Sequence, residues 1–128
     1  MMDRRGAGIL FERVAFDQRA MQPDGFGNEQ EKFVEQFQRR AGFTYMRGGE
    51  TVIASRLEGR QPIVVRVRRD SNTLLITPDW RMRDVRNGAW QGTGADQYWE
   101  GPIYAVRSIA PTDDRQFLDI MIESGVAA

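Results

Sequence analysis

The sequence contains no cysteine and no histidine. The first absence excludes disulfides, thiolate chemistry, iron–sulfur clusters and cysteine-ligated zinc. The second removes the commonest general base, the commonest metal ligand and every Ser-His or Cys-His pair. Charge of one sign is also lacking: eighteen basic residues balance eighteen acidic ones. A histone-like or polybasic DNA binder needs a large positive excess and is disfavoured. No stretch approaches the apolar run of a membrane helix, so no membrane association is expected. The apolar run Ile9-Leu10-Phe11 behind the Arg4-Arg5 pair is too short for a signal core, which reads as an intracellular chain. Lysine is nearly absent: Lys32 stands alone beside seventeen arginines. GC-rich coding explains that bias most simply, although arginine's planar fork also suits interfaces and phosphate.

What is present fits one modest domain. The 128 residues suffice for one core and not for two. Residues 1–70 hold thirteen basic and ten acidic residues, whereas residues 71–128 hold five and eight. An asymmetry of this kind suits head-to-tail contacts between copies.

Hydrophobic alternation predicts strands over most of the chain. After a frayed tail, residues 1–8, a strand runs over residues 11–18. Pro23-Asp24-Gly25-Phe26-Gly27-Asn28 is a turn written in backbone chemistry. In the second strand Phe33, Glu35, Phe37, Arg39, Ala41, Phe43 and Tyr45 share one face at period two. The pair makes a long hairpin with the glycine-rich turn at its tip. Residues 47–61 form an insertion in which Glu50 to Glu58 reads as a short helix capped by Gly59. Pro62 to Arg69 is a strand, Asp70 to Thr73 a tight turn, and Leu74 to Thr77 the expected partner strand. Extended structure resumes at Trp80 to Arg86, and residues 87–102 read as a long aromatic loop. Ile103 to Ile109 and Gln116 to Glu123 are the last strands. The expected fold is therefore mainly β: a small antiparallel barrel or sandwich of about seven strands, with one short helix between strands two and three.

No segment carries a recognisable catalytic or cofactor motif. Gly92-Thr93-Gly94 opens no helix and lacks a P-loop lysine. Asp24, Asn28, Glu29 and Glu31 do not match calcium-loop spacing. Asp113-Asp114 and Asp79 with Asp84 read as solvated turn carboxylates rather than a catalytic pair. The expectation is a non-enzymatic protein with no cofactor and no metal. Two features suggest contacts instead. Arg60, Arg66, Arg68 and Arg69 form a stripe that suits phosphate or an acidic neighbour, or simply guards an exposed strand. Trp90, Tyr98 and Trp99 in a long loop suggest an interface, or else a lid that folds back on the barrel.

The order of these features resembles the head–tail joining proteins of tailed bacteriophages, the head-closure, stopper and adaptor proteins. The matching pieces are Arg13-Val14-Ala15-Phe16, Asp24-Gly25-Phe26-Gly27-Asn28, Arg47-Gly48-Gly49-Glu50 and Ala54-Ser55-Arg56-Leu57. They continue through Val65-Arg66-Val67-Arg68, Trp80-Arg81-Met82-Arg83-Asp84, Tyr104-Ala105-Val106-Arg107-Ser108-Ile109 and Asp113 to Asp119, so the resemblance spans about Arg13 to Glu123. One departure is the lengthened, aromatic stretch from Asn87 to Pro102, where the family usually has a tight turn.

The resemblance implies a homo-oligomeric ring in the virion neck, assembled in the host cytoplasm, with a hexamer favoured over a dodecamer. A portal or adaptor ring would lie above and the tail terminator or tube below, with double-stranded DNA crossing the channel without sequence-specific binding. It also implies that Arg47, Gly48, Gly49, Glu50, Arg56, Glu58 and Arg60 belong to a channel-facing, gating segment. Arg66, Arg68, Trp90, Tyr98 and Trp99 are the expected subunit or neck-partner contacts. The alternative from residues alone is a small barrel that binds single-stranded nucleic acid or a sugar with Tyr45, Trp90 and Trp99.

Overall fold

The computed structural model describes residues 10–45 and 62–124. Both the tail 1–8 and the 47–61 insertion, with its expected helix and gating residues, lie outside the described residues.

Valine, isoleucine and aromatic residues in alternation build six antiparallel strands that close on themselves. They are β1 (Glu12–Pro23), β2 (Glu29–Tyr45), β3 (Pro62–Arg68), β4 (Arg81–Asp84), β7 (Ile103–Pro111) and β8 (Phe117–Glu123). Around the barrel the order is β1-β2-β3-β8-β7-β4, with β4 paired back to β1. Closure leaves no open edge in the wall. Inward residues fill the interior: Val14 and Phe16 from β1, Val65 and Val67 from β3, Met82 from β4, Val106 from β7, and Ile120 and Ile122 from β8. Trp80 plugs the core from the residue before β4, and Phe37 packs on it with ring centroids 5.9 Å apart.

The aromatic face expected for β2 does not stay on one side. Phe16 pairs with Phe37, but the next residue, Asp17, pairs with Glu35, so Gln36 is an extra residue. A one-residue bulge carries everything beyond it to the opposite face. Phe37 therefore meets the core, whereas Phe33 meets the guanidinium groups of Arg19 and Arg81 at 5.1 and 4.5 Å. Tyr45 is exposed.

The expected strand over Leu74–Thr77 is instead a 3-10 turn, Thr73–Leu75. The Asp70 carboxylate accepts the Asn72 and Thr73 N–H groups at 2.8 Å each, and the Thr73 hydroxyl donates to the Arg68 carbonyl. These local bonds outcompete an extended ladder. Leu74 and Leu75 are exposed, and β8 takes the place beside β3.

Residues 87–102 are also more ordered than a loop. Two short strands, β5 (Ala89–Gln91) and β6 (Tyr98–Glu100), form a separate hairpin, bringing the count among the described residues to eight strands. Its base needs glycine for close approach. A Cβ on Gly88 would lie 2.4 Å from the Trp99 ring, and one on Gly101 would lie 2.6 Å from the Gly88 Cα. The strand expected over 11–18 runs on to Pro23, because β1 keeps pairing with β2 after both have left the barrel wall.

Truncating a core residue should be costly and truncating a leucine of the 3-10 turn should not. Met82→Ala is expected to lose about 2–5 kcal/mol in urea denaturation. Leu75→Ser is expected to stay within about 0.5 kcal/mol of the parent.

Candidate assembly surfaces

Three features stand on the outer surface: a charge cluster capped by aromatics, an arginine cleft, and a projecting ribbon.

The cluster forms because β1 and β4 pair with Ala15 opposite Arg83 and Asp17 opposite Arg81. These residues alternate with Phe16 and Met82, which face inward, so all four face out. Asp17 is nevertheless buried, and so is Arg83, at 1% exposure each. Arg83 grips Asp17 through Nε and Nη2 at 2.7 and 2.9 Å, and its Nη2 also donates to Glu35 Oε1 at 2.7 Å. Arg81 Nε donates to the same Asp17 Oδ2 at 2.7 Å. Two arginines thus share two carboxylates, and the fork geometry satisfies most of the buried donors. Burial opposes the charge on Arg83, but the Asp17 and Glu35 carboxylates outweigh it and raise its pKa further.

The hairpin β5–β6 covers this cluster. Its Trp90 and Trp99 rings meet edge to face at 5.4 Å, and each centroid lies 4.8 Å from the Arg83 guanidinium. Small Ala15 opposite Arg83 leaves room for that arrangement. Of the three aromatics singled out in the sequence, Trp99 is half-buried, while Trp90 and Tyr98 keep 45% and 57% of their surface exposed. The aromatic stretch therefore folds back on the barrel in part and still presents two rings to solvent.

The arginine stripe divides. Arg66 points outward from β3 but forks onto Asp119 of β8 at 2.8 and 2.9 Å, so its charge is spent within the sheet. Arg68 lies over the Phe117 ring and lines a cleft of about 340 Å³ together with Arg13, Arg39 and Arg40. Arg39 is held by Asp70 at 3.0 Å. Burial favours the neutral form of Asp70, yet the Arg39, Thr73 and Asn72 hydrogen bonds hold its carboxyl below the usual range. Arg60 lies outside the described residues. The hydrophobic pattern did not reveal the cleft; the signal that could have found it is the basic pair Arg39-Arg40 facing Arg13 across a hairpin.

From Gln18 outward, β1 and β2 pair only with each other for six residue pairs, ending at Pro23 opposite Glu29. At about 3.3 Å per residue this ribbon projects about 20 Å. Its tip is preset: Asp24 Oδ1 accepts the Phe26 and Asn28 N–H groups at 2.7 and 3.2 Å, and Phe26 stands 89% exposed.

The structure places the carboxylates considered in the sequence as follows. Asp79 is bound by the Thr77 hydroxyl and Asp114 by that of Thr112, whereas Asp84 is buried beside Asn87. Among the described residues no group of histidine, cysteine or acidic side chains could hold a metal ion, and no helix is long and apolar enough to cross a membrane.

Residues 6–125 match the family profile described as phage head completion protein. No curated protein sequence matches the chain. Solved structures that share the fold include the following two. A protein of Shigella flexneri 2a, determined in solution, is 18% identical with a TM-score of 0.61, covering 96% of this chain and 99% of its own. A chain from the virion of a native gene transfer agent particle is 18% identical with a TM-score of 0.52, covering 91% of this chain and 94% of its own.

Two stability predictions follow from the charge groups. Asp17→Ala leaves two arginines without their shared buried partner and is expected to cost about 3–5 kcal/mol in urea denaturation. The folded Asp70 carboxyl titrates below its unfolded counterpart, so its contribution is complete above the ordinary carboxylate pKa and fades as pH falls through the folded value. The destabilisation caused by Asp70→Asn should therefore be largest near neutrality and shrink in acid, as read from urea midpoints between pH 7 and pH 3.

Proposed function

The chain belongs to the phage head completion protein family, and from that premise we propose that it assembles as a ring in the neck, beneath the portal or its adaptor, where it closes the DNA-filled head and offers the tail a docking surface. The family's role is structural, at the phage head. The observation that carries the reading is a family match spanning nearly the whole chain, from residue 6 to residue 125.

Physical features support the finer parts. A closed barrel is a rigid body with no open wall edge, which suits a subunit that must hold its shape against packaged DNA. The neutral overall charge suits a channel that DNA crosses without being gripped, because affinity climbs steeply with each arginine–phosphate contact. The chain from the gene transfer agent virion has this barrel, consistent with a place in the particle. We assign the 47–61 segment to the channel on the family resemblance, with Gly48, Gly49 and Gly59 as hinges around Glu50, Arg56 and Glu58. Trp90 and Tyr98 are the exposed aromatics we assign to a neck partner.

Particles made without this protein should package DNA and then lose it, with free tails left unattached. Empty, unpackaged procapsids would instead place its action earlier and defeat the reading. Tyr98→Ala should keep monomer stability within about 0.5 kcal/mol of the parent while lowering the yield of tailed particles counted by electron microscopy.

A further inference from the structure

The barrel wall contains a local conflict. Arg13 of β1 and Arg40 of β2 stand directly opposite each other in the ladder, both exposed. Like charges so placed repel. Among the described residues neither pairs with a carboxylate; Arg13 Nε donates only to the amide oxygen of Gln38 at 2.8 Å. Arg68 joins them in lining the cleft. Among the described residues the cleft's one carboxylate, Asp70, is already taken by Arg39. Among the described residues, three guanidinium groups therefore surround a cavity without an internal counter-charge, and the arrangement suits an anionic partner.

The other end of the same hairpin has the opposite character. Glu29 and Glu31 are exposed there around exposed Phe26, with half-buried Asp24 beside them and Arg19 3.6 Å from Glu31. An isolated two-stranded ribbon is marginal in water, so this one gains from a receptor. The protein repeatedly satisfies aromatic rings with arginine: Arg39 lies over Phe37 at 4.6 Å, Arg68 over Phe117 at 5.7 Å and Arg19 over Phe33 at 5.1 Å. A cleft walled by guanidinium groups can accept a ring and its flanking carboxylates by the same chemistry.

We propose that the ribbon tip of one copy, Asp24 to Glu31 with Phe26 as anchor, seats in the Arg13–Arg40–Arg68 cleft of the next copy. The tip cannot reach the cleft of its own chain. Arg13 and Pro23 are ten residues apart on one extended strand, about 33 Å. Joining two different patches makes the contact heterologous, and a heterologous contact repeated with a closing rotation gives a ring. The inference rests on the ring reading above and names the contact that would build it.

Sedimentation velocity on the full chain tests it. The parent should self-associate as concentration rises. Arg40→Glu, which also gives Arg13 a partner and so should fold, and the tip variant Phe26→Ala/Glu29→Arg should each weaken association by about tenfold or more. Arg68→Gln serves as a second cleft variant. An equimolar mixture of Arg40→Glu with the tip variant leaves one intact tip and one intact cleft, so it should form dimers and stop there. The proposal is overturned if the variants associate as the parent does, if the mixture forms no dimer, or if the parent stays monomeric up to about 1 mM. It is equally overturned if the cleft variants lose affinity for a short DNA duplex while self-association is unchanged, since the cleft would then serve phosphate. A monomeric parent combined with DNA loss from particles lacking the protein would reject this contact and leave the neck function standing.

Discussion

The Asp17 carboxylate is the point on which the outer architecture depends. It lies on the solvent side of the barrel wall, yet it is buried, and it is shared by Arg81 and Arg83. Through Glu35 the same group reaches β2, and through the tryptophan pair it reaches the β5–β6 hairpin. Desolvating the Asp17 carboxylate and two guanidinium groups offsets much of their mutual attraction, so the cluster adds little net stability over an apolar patch. Its effect is on geometry. An apolar cap could slide over an apolar wall, but Trp90 and Trp99 must lie where the Arg83 fork presents its face. The charges thereby fix the hairpin's orientation, and with it the direction in which Trp90 and Tyr98 meet solvent.

The bulge at Gln36 is what allows this arrangement. Without it Glu35 would follow Phe37 into the core, where a carboxylate would have no partner. With it, Glu35 turns outward to Arg83 and Phe33 turns outward beneath Arg19 and Arg81. The interruption of the aromatic face was visible in the sequence as Glu35 and Arg39 among phenylalanines. The two have separate explanations. Glu35 has changed face, while Arg39 lies across the Phe37 ring and meets Asp70.

Regular alternation was thus a good guide wherever one face was simply buried. Val65 and Val67 inward with Arg66 and Arg68 outward needed nothing more than period two, and the mainly β barrel follows from such segments. Local side-chain bonding was a poorer match for that reading. Leu74-Leu75-Ile76-Thr77 looks like a strand until Asp70 and Thr73 tie up the backbone groups before it. The hairpin at 87–102 was masked by its glycines, which signal a loop but here permit the close packing of Gly88, Gly101 and Trp99. Candidate contacts were legible as residue types and not as surfaces. Arg66 and Arg68 are two apart, yet one is neutralised by Asp119 and the other lines the cleft, because only register decides which carboxylate lies opposite.

A chain of zero net charge can still be strongly polarised, and this one is polarised along a single hairpin. Arg13 and Arg40 sit at its barrel end and Asp24, Glu29 and Glu31 at its tip, separated by about ten residues of extended strand. Charges at the two ends of this arm are too far apart to neutralise each other, since the Debye length at physiological salt, about 8 Å, is far shorter than the arm, although near the tip Arg19 lies 3.6 Å from Glu31. In the proposed contact they are available to another copy, which would meet them in reverse order. In the proposed ring, a bulk neutrality that would keep a passage from holding DNA and a local polarity that would let subunits find one another are therefore compatible. Placing the two signs at opposite ends of a ribbon would serve both in a domain with little surface to spare.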